Sequence, residues 1–261
     1  MWRLPVRKQQ SVVGLMSLAG DIDESTALSL LFALRALPSR RRRIAALILR
    51  VSSNGGALGA AQAVHERLRT LHRELGVPSV SLVTQTALSA GFYAALGADH
   101  VVATSAATLG NVGAAIRAFS PHRLFETLGV EYLPIASGDA KDSLSNLGSL
   151  AAPQRASLQS VVDECCDQFA AMLRIRRPGL TEAALASLRG GRVFTGAAAH
   201  SMGMVDHLGG LFRAIELCGE LSGLAAPGVE VVDAAQPPIS GGVAELVRRQ
   251  ALKTLEGMLT R

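Results

Sequence analysis

The segment Ile44-Ala45-Ala46-Leu47-Ile48-Leu49-Arg50-Val51 constrains this chain more than any other. It is an almost unbroken apolar run, closed by Ser52-Ser53-Asn54-Gly55-Gly56. A short apolar run bounded by turn residues is the pattern of a strand buried on both faces. Such strands belong to parallel sheets, whose crossover helices cover both sides. The flanking sequence supplies the matching elements. Val12 to Leu18 reads as a strand ending in an Ala19-Gly20-Asp21 turn. Glu24 to Leu37 reads as a helix, with Ser25 as its cap and Pro38 closing it. Ala60 to Leu75 is a second helix, Pro78 to Val83 a strand, Phe92 to Leu96 a short helix, and His100 to Ala103 a strand. Leu158 to Leu173 has the pattern of a long amphipathic helix, Thr181 to Leu188 of a shorter one, and Val193-Phe194 of a short edge strand. This alternation predicts a layered α/β fold with a mostly parallel sheet. Aromatic residues make up 4% of the chain and apolar residues 49%, so Ala, Val, Leu and Ile must fill the core.

The net charge is +5, much of it in Arg40-Arg41-Arg42-Arg43. Such a run can meet anionic lipid or nucleic acid, or lie in a solvated loop. The loop is the expectation here. No aromatic residue is interleaved with the arginines to stack on bases, and no nucleic-acid partner is expected. Arg3, Arg7 and Lys8 precede the first apolar segment, which is read as a strand and not as a leader peptide. No stretch reaches the roughly 18 apolar residues of a membrane span. The expected location is cytoplasmic, with peripheral membrane contact left open. Cys165, Cys166 and Cys218 are an odd set without metal-ligand spacing and are expected as buried fillers in a reducing compartment. The scattered histidines form no zinc pattern, and neither metal nor cofactor is expected. From about Ala225 the composition shifts toward Pro and Gly, and Ala244 to Leu259 reads as a terminal amphipathic helix. The expected division is residues 1–225 as one domain and 226–261 as a C-terminal extension.

Two glycine-bearing turns follow adjacent predicted strands: Gly55-Gly56, and Ala90-Gly91 after Ser89. Acyl transfer needs backbone N–H groups aimed at the oxygen that becomes negative, and small residues let that backbone come close. A helix start behind Ser89 adds a favourable dipole. These features suit Ser89 as a nucleophile with N–H donors at Gly56 and Ala90. A nucleophilic serine also needs a base. His100 at a strand start and His122 in a loop after Ser120-Pro121 are candidates, without an evident orienting carboxylate. Lys141, in Ser137-Gly138-Asp139-Ala140-Lys141-Asp142, is another, because burial can make a lysine neutral.

In order along residues 11 to 220, the chain resembles the signal peptide peptidase A family of serine peptidases, in a single-repeat form without the membrane anchor. Leu47 to Gly56 resembles the family's strand followed by Asn/Asp-Ser-Pro-Gly-Gly, and Ala87-Leu88-Ser89-Ala90-Gly91-Phe92-Tyr93 its Ala-Ala-Ser-Gly-Gly-Tyr-Tyr. Ala98-Asp99 to Gly113, Ser137 to Asp142, Gly191 to Gly196 and Gly203-Met204-Val205-Asp206 resemble its later signatures. The resemblance implies a ClpP/crotonase-like fold of repeated strand-strand-helix units. It implies Ser89 as nucleophile, Lys141 as general base and an oxyanion hole at Gly56 and Ala90. It also implies substrate contacts at Gly55 and Gly91. Asn111 stands where the family has a serine beside the lysine, so an Asn carbonyl would orient Lys141. Asn54 replaces a proline and Ala90 a glycine. Implied partners are apolar peptide substrates and further copies of the chain in a ring or dome. Three other readings compete: a silent scaffold of the same fold, an acyl-CoA hydratase or isomerase, and a ClpP-like Ser–His–Asp peptidase. The sequence has no evident carboxylate pair for the second and no matching histidine for the third.

Overall fold

The computed structural model describes residues 11–145 and 147–232. They fall into two compact units. The first comprises residues 11–110 and 193–232, and the second residues 111–145 and 147–192. The expected terminal helix at 244–259 lies outside the described residues, as does the basic segment before Ser11.

The first unit holds strands β1 (Ser11–Ile22), β2 (Arg43–Gly56), β3 (Ser79–Leu88), β4 (His100–Ala103), β5 (Thr108–Gly110), β6 (Val193–Thr195), β7 (His207–Leu208) and β8 (Gly228–Val231). Its helices are α1 (Glu24–Arg35), α2 (Leu58–Leu75), α3 (Ala90–Ala95), α7 (Gly196–Ser201) and α8 (Leu211–Ser222). The order β6-β5-β3-β2-β1-β8, with β4 between β3 and β7, gives one mixed sheet. Every pairing is parallel except the edge pair β5–β6. The architecture is a layered α/β fold, as the apolar run of β2 requires. Ala46 and Ile48 face α8 through a core with Val13, Val80, Leu82, Ala214, Leu217 and Cys218. Their neighbours Leu47, Leu49 and Val51 point to the opposite face, by strand alternation, and are equally buried. Helix α2 packs against α1 and α3, and α3 packs on β2 and β3.

Several local expectations are corrected. Asp23, not Ser25, caps α1: its carboxylate accepts the Thr26 N–H at 2.7 Å. Ala19-Gly20-Asp21 does not end β1, and Ser52 to Gly56 does not break β2, because Asp21 and Ile22 pair with Gly55 and Gly56. Parallel pairing overrides the turn propensity of both segments. The ladder absorbs them through register shifts, between Ala19 and Asp21 on β1 and between Val51 and Ser53 on β2. Helix α3 begins at Ala90, two residues earlier than expected.

The second unit contains α4 (His122–Thr127), α5 (Ala152–Arg176) and α6 (Glu182–Arg189). His122 opens a short helix instead of lying in a loop. Helix α5 starts six residues before the periodic stretch, with Pro153 in its first turn, where a missing N–H costs nothing. Cys165 and Cys166 on α5 are only partly buried, and Cys218 on α8 is the buried cysteine. Burial pushes the Cys218 thiol up to about 12, so it stays an inert filler. Among the described residues no helix is long and apolar enough to cross a membrane.

Candidate active site

The C-terminal ends of β2 and β3 bring the two glycine-bearing turns together. Ser89 stands between β3 and α3 with φ 51° and ψ −122°. Ser89 and Asn111 are the only non-glycine residues with positive φ among the described residues. A non-glycine residue held in this region carries strain on the order of 1–3 kcal/mol and persists only where its surroundings fix it. The fixing contacts at Ser89 are visible. Its N–H donates to the Gly110 carbonyl at 2.8 Å, and its carbonyl accepts the Tyr93 N–H at 3.0 Å. A sharp strand-to-helix turn of this kind lifts a side chain off the sheet end, and Ser89 is half-buried there.

Gly55 lies against it. A Cβ on Gly55 would sit 3.0 Å from Ser89 Cβ and 3.4 Å from its Oγ, and Gly55 itself has φ 127°. Gly56 has φ 143°, and a Cβ there would come within 2.2 Å of the Ile22 carbonyl oxygen. Both positions therefore demand glycine. Gly91 is the third close approach, with its would-be Cβ 3.0 Å from the Ser53 carbonyl oxygen. The Ala90 N–H, the first of α3, donates to no protein acceptor among the described residues. Helix α3 spans only six residues, so it contributes its leading N–H groups more than a developed dipole.

Sequence reasoning passed over Ser53. Its buried hydroxyl accepts the Gly55 N–H at 3.1 Å and donates to the Gly55 carbonyl at 3.2 Å. Ser53 thus braces the Gly55 turn from one side and packs on Gly91 from the other. The available signal was a short hydroxyl two residues before a glycine, a known local turn former. Asn54, which replaces a stiffening proline, is exposed and leaves this brace intact. Tyr93 is buried beside His65, with ring centroids 5.2 Å apart. Burial first, then the Glu66 charge, holds its phenol above the usual range, so it stays neutral.

Of the remaining sequence candidates, Asn111, Lys141 and His122 lie in the second unit and His100 in the first. The Asn111 N–H donates to the Arg192 carbonyl at 2.8 Å, and its Oδ1 lies toward Gly191. Lys141 sits in a turn after Gly138, whose carbonyl accepts its N–H at 3.0 Å, and its side chain is exposed. His100 faces His207, with ring centroids 5.5 Å apart, and His122 pairs with Glu126 at 3.2 Å. Neither of these pairings involves Ser89. No group of three or more His, Cys, Asp or Glu residues could hold a metal ion among the described residues.

Comparison with known proteins adds a family. Residues 72–225 match peptidase family S49. The slr0021 protein of Synechocystis sp., a candidate protease, is 30% identical over 216 residues, covering 83% of this chain and 76% of its own length. The chloroplastic serine protease SPPA of Arabidopsis thaliana is 28% identical over 180 residues, 67% of this chain and 26% of that protein. Two solved structures of the 1510-N membrane-bound stomatin-specific protease share the fold. One superposes with TM-score 0.54 at 15% identity, over 85% of this chain and 97% of that one. The other, bound to a substrate peptide, gives 0.55 at 13% identity, over 91% and 98%.

Proposed function

This chain belongs to peptidase family S49, and on that premise we propose that it is a serine endopeptidase of ClpP/crotonase-like fold acting through a Ser89/Lys141 dyad. Membership carries peptide hydrolysis in general. The observation that carries the finer reading is the strained, doubly hydrogen-bonded turn at Ser89, with Gly55 stripped of a side chain beside its Oγ.

In the proposed cycle a neutral Lys141 takes the proton from Ser89 Oγ as that oxygen attacks the scissile carbonyl. The Gly56 and Ala90 N–H groups hold the resulting oxyanion. Lys141 then gives its proton to the leaving amine, the peptide bond breaks, and an acyl-Ser89 ester remains. Water, deprotonated by Lys141, attacks the ester, and Lys141 returns that proton to Ser89 Oγ as the acyl bond breaks and the carboxylate product leaves. The carbonyl of Asn111 would accept a hydrogen bond from the lysine and orient it. The substrate would be an extended apolar peptide, pairing beside Gly55 and passing Gly91.

A lysine works as a base only when desolvated, and Lys141 is exposed in the single chain. The second unit also exposes Phe119 and Ile135 almost completely and Leu133 at 73%. Both features support a homo-oligomer in which a neighbouring copy covers this unit. The test is hydrolysis of a fluorogenic apolar peptide by the wild type, Ser89→Ala and Lys141→Ala, with assembly state measured in parallel. Loss of roughly three or more orders of magnitude in kcat is expected in both variants, with folding intact. Activity retained in Lys141→Ala removes the lysine from the mechanism. Full activity from a monomer removes the assembly.

A further inference from the structure

Strands β1, β2, β3 and β4 are parallel, so their N-terminal ends gather at the end of the sheet away from Ser89. At about 3.3 Å per residue, the length of β2 puts Arg43 roughly 40 Å from Gly56. The arginine run sits at this far end. Arg41, Arg42 and Arg43 are exposed there, as are Arg35 at the end of α1 and Arg73 in the last turn of α2. Three carboxylates at this end are in ion pairs, Asp99 with His72 at 3.9 Å and the two that follow with arginines. Arg40 and Arg42 share the single carboxylate of Glu230, at 3.5 and 3.9 Å. Glu74 is taken by Arg67. Arg43 meets no carboxylate among the described residues.

Small apolar groups accompany this charge: Ala36 and Pro38 are exposed and Leu75 partly so. Pro38 and Leu75 border a cavity of about 180 Å³ whose deeper wall is the buried Leu37, Ile44 and Val77, with Arg40 and Arg43 completing it. The Arg40 Nε is buried there without a hydrogen-bond partner. The turn from Leu224 to Pro227, which feeds β8, emerges at the same end, because Gly228 pairs with Val12 near the start of β1. Ala225 and Ala226 in it are exposed.

We infer that this arginine end is a docking surface for an anionic lipid bilayer. Clustered arginines among small apolar groups match an interface that offers phosphates above acyl chains. Duplex or single-stranded nucleic acid is the less fitting polyanion: it would leave the exposed Ala36, Pro38, Ala225 and Ala226 unused, and no aromatic residue is interleaved in the run Arg40 to Arg43 to stack on bases. The consequence is positional. Docked by this end, the Ser89 turn faces away from the bilayer, roughly 40 Å above it. The enzyme would then act on peptide segments that stand clear of the membrane, not on those lying in its plane. This inference concerns binding and holds whether or not Ser89 proves to be the nucleophile.

The experiment is co-sedimentation of the full chain with vesicles of phosphatidylcholine alone or mixed with phosphatidylglycerol. Three proteins are compared: the wild type, the triple variant Arg41→Ala, Arg42→Ala, Arg43→Ala, and the triple Arg→Lys variant at the same positions. The wild type should pellet with the anionic vesicles only, and should be released by high salt. The alanine variant should lose roughly 100-fold in partitioning, while the lysine variant stays within a few-fold of the wild type. Should the alanine variant fail to fold, salt release of the wild type and binding by the lysine variant still decide the matter. Equal sedimentation with neutral vesicles, no sedimentation at all, or unchanged binding by a folded alanine variant overturns the inference. So does a duplex DNA of matched charge that binds more tightly than the anionic vesicles.

Discussion

The two units treat their proposed catalytic residues differently. In the first, Ser89 is held by a backbone hydrogen bond on each side and by a glycine pressed against its Cβ. Behind it lies a core in which Phe92, Ile48 and Leu49 are fully buried. In the second, Lys141 stands on an exposed turn, and Phe119 and Ile135 are almost wholly in solvent. Strain at a nucleophile persists only where neighbours over-determine it, and the first unit provides those neighbours within one chain. The second does not provide comparable enclosure for Lys141. On the proposed Ser89/Lys141 reading, the contrast means that the nucleophile's turn is fixed within one chain, whereas Lys141 is left exposed by its own unit.

The sharpest way to break this comparison is to add one methyl group to each half. Gly56→Ala puts a Cβ about where the Ile22 backbone already is, at a φ of 143° that alanine avoids. The expected cost is roughly 3 kcal/mol or more, or outright failure to fold. Gly138→Ala, three residues before Lys141, meets nothing within 4 Å and should change stability by less than about 0.5 kcal/mol. Thermal or denaturant unfolding of the two variants measures both. Similar losses in the two would show that the second unit is as tightly built as the first.

A smaller effect comes from Ser89 itself. Replacing it with glycine removes the penalty of a positive φ, so Ser89→Gly should raise stability by about 1 kcal/mol while abolishing hydrolysis. Ser89→Ala, which keeps the strained backbone, should lose activity without that gain. If Ser89→Gly is no more stable than Ser89→Ala, the turn stores no strain and the claim of a pre-set nucleophile falls.

How much of this was legible beforehand follows from the physics of each segment. Residues 44–51 announced a parallel sheet because burial on both faces leaves no polar alternation to hide. The glycines were legible as turn formers but not as strand residues. Their conformation is imposed by Ile22 and Ser89, contacts that no local propensity encodes. Ser53 was missed for the same reason, since its worth depends on Gly91 lying across from it. In the second unit, periodicity found α5 and α6 but not α4, whose six residues are too few to show a period. The exposure of Lys141 agrees with the default reading of a lone lysine as a surface charge, whereas its role as a base comes only from the family resemblance.

The first unit has a weak point that sharpens the comparison from the other side. His207 on β7 has a buried Nε2 without a partner and faces His100 of β4. Burial, the His100 charge and the Arg213 guanidinium of α8 hold its imidazole below the usual range, against a smaller pull from Asp206 and Glu220. A histidine kept neutral by the fold contributes stability that is fully present above its unfolded pKa of about 6.5. That contribution is lost as pH falls from there toward the lowered folded value. Asp23, held by Thr26, and Glu74, held by Arg67, are shifted down from the ordinary carboxylate values, so their contributions persist to lower pH and do not confuse the window. Unfolding measured from pH 7.5 to pH 5 should therefore show the wild type losing stability on acidification, and His207→Gln losing distinctly less. Equal slopes would mean that the β4–β7 edge accommodates the charged imidazole, and that the first unit is more forgiving than its packing around Ser89 suggests.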